Sequence, residues 1–335
     1  MGTPRLIRAA DFERIGQDPR ELAKLTNKGE LVRLRRGIYV RSKDWADLDP
    51  SSRYGLWALA FQCLTDAAPI FCHASAALVW GLWILGTPRR LHVLTASTDG
   101  GRSRNTIERH RGQMSTGVVQ CGPVLLTDKL TTTMQLISSL RFPYAVAVCD
   151  SSLHTAREPN GTNLFTRPGD LGGVNQECSW SNEVPQGQPL VVNELLAAAS
   201  LLPSRAARQR ATAVIEFSSG LSGSAGESLS RVRMHELGFP APVLQQRFVL
   251  REGNNAFVDF WFKEQQTAGE FDGLGKYLRQ DWGGGLSLEQ RIMAEKRRED
   301  QIRAQGARFV RWTWAEMMDR DCFQLLLRQA GLPQK

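Results

Sequence analysis

Apolar positions change period within the first forty residues of the chain. Ala9–Ile15 reads as a short helix. Asp18-Pro19 then supplies a helix start, with an N-capping carboxylate followed by a residue whose φ is already helical. Over Pro19–Lys28, Leu22 and Leu25 share one face while Arg20, Lys24 and Lys28 lie elsewhere, and Gly29 ends the helix. Glu30–Val40 reads as a small hairpin that turns at Arg36-Gly37 and carries Arg33 and Arg35 on its first arm. Helix, helix and basic hairpin is the order of a winged helix-turn-helix. In that arrangement the second helix enters the major groove and the wing grips phosphate.

The pattern beyond is mixed. Arg53–Leu64 and Phe71–Leu78 predict helices, Leu91–Thr95 and Val118–Gln120 strands, and Leu126–Leu140 and Tyr144–Thr155 further helices. His73 stands at the start of a small-residue helix and reads as a capping or packing residue. Thr98–Arg111, with Arg102, Arg104, Arg109, His110 and Arg111, reads as a basic loop. Residues 157–190, rich in Pro, Gly and Asn, read as an exposed insertion. Leu195–Phe217 reads as one helix, basic on one face, before a Gly/Ser linker at Ser218–Ala225. The fold expected is therefore α+β and multidomain: a winged helix at 1–48, a mixed α/β middle domain at 49–217, and a last domain at 221–335.

Charge sharpens the first domain. The 335 residues carry a formal net charge of +8. Lys and Arg outnumber Asp and Glu by eleven to six over residues 1–45, so the excess gathers where the hairpin lies. A basic patch favours an anionic partner, and double-stranded DNA is the one that fits this element order. The six cysteines form no CxxC pair and none stands at zinc-ligand spacing from a histidine, which argues against structural zinc and for idle thiols in a reducing cytoplasm. The longest apolar run, near Ala74–Leu85, is too short to cross a bilayer, so no membrane role is expected.

Candidate chemistry lies after the linker. The order there reads α-β-β-β-α-β: a helix from Gly226 to Leu237, strands Val243–Leu250 and Ala256–Phe262 around a turn at Glu252–Asn255, a strand with Gly269–Gly273, a charged helix Leu288–Gln305, and a final strand Arg308–Trp314. A carboxylate within such apolar strands is costly to bury unless compensated, and a divalent cation is one compensation. Glu270 and Asp272 are two apart and share a strand face. Asp259 from the neighbouring strand and Glu227 from the helix can join them. Together the four offer oxygen ligands for Mg²⁺ or Mn²⁺, which would activate water for phosphodiester cleavage. The charged helix, with Glu295, Lys296, Arg297 and Arg298, reads as a solvated face, and Trp312 and Trp314 as sheet core.

Glu227, Asp259, Glu270-Phe-Asp272-Gly273 and the closing Arg308–Trp314 segment resemble the PD-(D/E)XK restriction-endonuclease-like superfamily, in its very-short-patch-repair-like branch. Pro19–Val40 and His73–Leu82 are similar to AbiEi-type antitoxins of type IV toxin–antitoxin systems. The second resemblance implies a regulator whose winged helix represses its own operon and whose partner is a nucleotidyltransferase-like toxin. It gives Arg20, Lys24 and Lys28 to the major groove and Arg33, Arg35 and Arg36 to the DNA backbone. The first implies a metal-dependent DNA endonuclease, with Glu227, Asp259, Glu270 and Lys276 catalytic and Glu227, Asp259, Glu270 and Asp272 on the metal. The chain departs from that pattern: Asp272 occupies the position of its lysine, which leaves Lys276 or Lys296 to substitute. A third reading makes the last domain a docking module for the toxin.

Overall fold

The computed structural model describes residues 4–96, 106–112, 117–155, 184–273 and 288–334. The protein is mixed α and β with several sheets, and it divides into two compact units: Met1–Ser139 with Arg157–Ala211, and Leu140–Ala156 with Thr212–Lys335.

The first unit opens with β1 (Ile7–Arg8), α1 (Ala9–Arg14), α2 (Arg20–Asn27), β2 (Leu31–Arg35) and β3 (Ile38–Arg41). Asp18 accepts the Arg20 N–H at 2.9 Å at the start of α2. Gly29, at φ +77°, lets the chain leave α2 in the left-handed region that an L side chain resists. The strands order as β1-β3-β2, with Gly37 (φ +75°) at the tip of the β2–β3 hairpin. Leu22, Leu31 and Tyr39 form the small core of this segment, with Ile7, Phe12 and Leu25 against it. The helix–helix–hairpin order expected from the sequence is thus the order observed.

The unit continues with α3 (Ser42–Ala46), α4 (Pro50–Gln62), β4 (Ile70–Phe71), α5 (His73–Trp80), β5 (Leu91–Thr95), β6 (Ile107–Arg111), β7 (Val118–Cys121), β8 (Val124–Thr127) and α6 (Lys129–Ile137). Its five-stranded sheet runs β6-β5-β4-β8-β7. The basic loop expected over Thr98–Arg111 needs correction. Residues 107–111 form β6, parallel to β5, with Leu91 beside Ile107 and Thr95 beside Arg111, while residues 97–105 lie outside the described residues. The expected insertion lies outside them too, save for 184–190. The single helix expected over Leu195–Phe217 is two, α8 (Val192–Ser200) and α9 (Arg205–Phe217). Pro203 stands in the break, where its ring and missing N–H forbid a continuous helix.

The second unit contains α7 (Phe142–Leu153), α10 (Ala225–Glu236), β9 (Val243–Val249), β10 (Asn255–Phe262), β11 (Thr267–Phe271), α11 (Leu288–Arg303), β12 (Arg308–Trp312), α12 (Trp314–Met318) and α13 (Arg320–Gln329). The sheet order is β12-β11-β10-β9, antiparallel except for the β11–β12 pair. From α10 to β12 the elements follow the α-β-β-β-α-β order read from the sequence. Trp312 is 1% exposed and its indole N–H donates to Ser230 Oγ at 2.8 Å, so it is sheet core as expected. Trp314 instead heads α12. The α7 helix is fixed to α10 by a buried ion pair: both oxygens of Asp150 receive Arg231 Nη2, at 3.0 and 2.7 Å. Gly226 is pressed against Phe271, where a Cβ would come within 2.0 Å of the ring.

Candidate nucleic-acid interface and the C-terminal carboxylates

On α2, Arg20 and Lys24 are exposed, as is Lys28 at its C-cap, and Lys24 Nζ stands 2.6 Å from Glu21. The helix buries Leu22 inward, so the same amphipathic pattern that docks it presents its basic residues outward. On the hairpin, Arg33 and Arg36 are exposed. Arg35 is not with them. Its guanidinium lies over the Trp57 and Phe61 rings, at 5.7 and 5.1 Å, and Nη2 donates to Thr106 Oγ1 at 3.3 Å. Trp57 Nε1 reaches the Leu34 carbonyl at 3.3 Å. Burial holds the Arg35 pKa below its ordinary value. Of the three arginines expected to grip the DNA backbone, Arg35 therefore fastens the hairpin to α4, while Arg33 and Arg36 are exposed.

The C-terminal carboxylates converge. The β10–β11 pairing sets Phe260 opposite Gly269, and the β9–β10 pairing sets Val258 opposite Gln246 and Phe260 opposite Leu244, with Gln245 at φ +52° between them. Glu227, 3% exposed, accepts the Gly223 N–H at 2.6 Å and the Ser224 hydroxyl at 3.0 Å. Gln245 Nε2 spans Glu227 and Asp259 at 3.4 and 3.3 Å, and Asp259 also accepts the Phe271 N–H at 3.0 Å. Glu270 meets a guanidinium on each oxygen: Arg298 Nη2 at 2.6 Å on one, Arg311 Nη2 at 2.7 Å on the other. Arg311 also reaches Asp272 at 3.4 Å, and both arginines pair with Glu295. Burial pushes the Glu270 carboxyl up from its ordinary value, against the pull of the two guanidiniums. Burial acts on Glu295 in the same sense, but hydrogen bonds from Arg298 and Arg311 prevail and hold it down to about 2.

This arrangement does not fit a divalent cation. Both oxygens of the central carboxylate are committed to arginines, and two positive charges at hydrogen-bond distance repel a third centre of +2. A neutral amide spans Glu227 and Asp259, and Arg311 reaches Asp272. Arg298 and Glu295, read from the sequence as part of a solvated helix face, are turned to the sheet. Lys276 lies outside the described residues.

Comparison with known proteins bears on the N-terminal segment. Residues 2–42 match the family described as "Transcriptional regulator, AbiEi antitoxin". That segment holds α1, α2 and the basic hairpin. No curated protein matches the chain. Among solved structures, the RV2827C protein from Mycobacterium tuberculosis is 15% identical, over 68% of this chain and 76% of that one, with a TM-score of 0.36. Among the described residues, no helix is long and apolar enough to cross a membrane.

A cluster in the first unit went unread in the sequence. The rings of His73 and His110 stack with centroids 3.7 Å apart, and those of His92 and His110 with centroids 5.1 Å apart. His92 Nδ1 and His110 Nε2 stand at 2.9 Å. Burial, reinforced by the neighbouring rings, pushes His73 down to about 3 and His92 to about 4, and burial lowers His110 as well. The only local signal was His73 itself, because the other two are brought to it by the β5–β6 pairing.

Proposed function

We propose that this chain is a DNA-binding transcriptional regulator of the AbiEi antitoxin type, which represses its own operon through an N-terminal winged helix. The observation that carries this reading is the exposed basic set on α2, at its C-cap and on the hairpin, Arg20, Lys24, Lys28, Arg33 and Arg36, inside the segment that matches the regulator family. In such a module α2 would lie in the major groove and the hairpin tip would track the phosphates. Arg35 serves the same end indirectly, by holding the wing against Trp57 and Phe61. The protein partner proposed with this role is a nucleotidyltransferase-like toxin encoded beside it, and the place proposed is the cytoplasm.

Glu270 and Asp272, paired with arginines, give the second unit a structural role in this account rather than a hydrolytic one. A mobility-shift titration of the DNA upstream of the gene, with a promoter–reporter fusion alongside, tests the regulator reading. The expected results are a discrete complex with the upstream fragment, no comparable complex with scrambled DNA, and reporter repression that requires Arg33 and Arg36. Equal affinity for the two DNAs and an unrepressed reporter would remove operon repression from the account.

A further inference from the structure

The β5–β6 face presents ligands of metal-binding type. His92 stands beside Glu108 in the parallel register, and Leu94 beside His110. Glu108 and His110 are two apart on β6, so they share a face. His92 Nδ1 lies 2.9 Å from His110 Nε2, and Glu108 Oε1 lies 4.0 Å from the same nitrogen. One ligand atom from each of the three falls within 4.8 Å of the others. Two ligand atoms on a tetrahedral zinc stand about 3.3 Å apart, given Zn–N and Zn–O near 2.0–2.2 Å. Opening the nitrogen pair slightly and drawing the carboxylate in by less than an ångström would complete the geometry. These are side-chain adjustments that leave both strands in place.

The surroundings are built around this trio. Arg90 Nη1 lies 3.8 Å from Glu108 Oε2, the oxygen turned away from His110, as a second-layer partner orients a ligating carboxylate. His73 lies flat on the His110 ring and fixes its plane. His73 adopts φ +47°, a left-handed conformation that costs a side-chain-bearing residue about 1 kcal/mol or more, and its N–H is satisfied by Gln135 Oε1 at 2.9 Å. Backbone strain held in place by a dedicated side-chain hydrogen bond accompanies sites where ring placement matters.

We infer that His92, Glu108 and His110 form a binding site for one divalent transition-metal cation, Zn²⁺ by the chemistry of the set, with His73 as a positioning residue. Two imidazoles and a carboxylate suit zinc, whereas Mg²⁺ prefers an octahedron of oxygens. Three protein ligands leave a fourth position for water or another donor.

Equilibrium dialysis of the chelator-stripped full-length protein against Zn²⁺, with metal counted by mass spectrometry, tests the site. Co²⁺ serves as a second probe, read by its visible absorption bands. The expected result is one equivalent of Zn²⁺ per chain, undisturbed by equimolar Mg²⁺, and the intense bands of four-coordinate Co²⁺. His110→Asn and Glu108→Gln should each weaken binding by at least about tenfold, since even second-layer losses cost 10–100-fold. His235→Asn, remote from the trio in sequence and in the other unit, should leave it unchanged. No stoichiometric uptake by the unmodified chain would overturn the proposal, as would uptake unaltered in both variants. Should His110→Asn fail to fold by circular dichroism, Glu108→Gln decides alone, because that side chain is 38% exposed and dispensable to the core. The readout involves no DNA, so its outcome is independent of the regulator reading.

Discussion

The N-terminal segment and the C-terminal sheet handle charge in opposite ways. On α2, at its C-cap and on the hairpin, cationic side chains are held out in solvent, among them Arg20, Lys24, Lys28, Arg33 and Arg36. Lys24 pairs with Glu21 at 2.6 Å. In the second unit, Glu270, Arg298, Arg311 and Glu295 are drawn into one another at 2.6–2.7 Å. Solvated cations cost little in the folded state and remain available to a polyanion, whose released counterions then drive binding. Charges spent on one another hold a fold together and have little left for a ligand. The location of the unspent charge is therefore a better guide to function here than the location of the carboxylates.

Breaking the most buried pair should cost most. Asp150, fully buried, also accepts Ser219 N–H and the Ser222 hydroxyl, so Asp150→Ala strands the Arg231 charge and two donors. A loss of about 3–5 kcal/mol is expected in chemical denaturation, in the range for breaking a buried pair from one side. Glu270→Ala should cost less, about 2 kcal/mol, because Glu295 still compensates Arg298 and Arg311. If Glu270→Ala instead proved neutral to stability, the arginines would not be committed to it, and the contrast between the two regions would weaken.

The three hairpin arginines divide the comparison more finely. Arg35→Ala should cost about 1 kcal/mol through its lost ring contacts. Arg33→Ala and Arg36→Ala should stay within about 0.5 kcal/mol of the parent, as exposed substitutions do. Their effect should appear in DNA affinity. Acid tests the second unit separately. Glu295 titrates near 4.5 when unperturbed and at about 2 in the fold. Its contribution is therefore present above pH 4.5 and lost as pH falls through 4.5 toward 2. Glu295→Gln should flatten the fall of stability with acidity in that window, measured as denaturation midpoint against pH.

What the sequence made legible was local. The exit at Gly29 and the turn at Gly37 each depend on residues a few positions apart and formed as read, whereas the helix start moved one residue on, with Pro19 at the N-cap and Asp18 bonded to the Arg20 N–H. The break at Pro203 was equally local and signalled by that residue. The partners of charged side chains were not legible, because they are remote. Arg35 turns inward for Trp57, Phe61 and Thr106, and Arg231 for Asp150, 81 positions away. Gln245 links the Glu227 and Asp259 carboxylates, a bridge between a helix and a strand that strand period alone does not reveal. The neutralisation of Glu270 by Arg298 and Arg311 depends on which face of α11 meets the sheet, and a helix charged all round does not reveal it. The histidine trio was invisible for the same reason: positions 92 and 110 meet only through the parallel β5–β6 pairing.

The most direct test of the central claim is the salt dependence of DNA binding, measured by fluorescence anisotropy for the parent and for an Arg33→Ala/Arg36→Ala variant. If the hairpin grips phosphate, the slope of log affinity against log salt should shrink by about 2, near one unit per lost contact, with stability unchanged. An identical slope and affinity in the variant would contradict the account and move the DNA contact away from the hairpin.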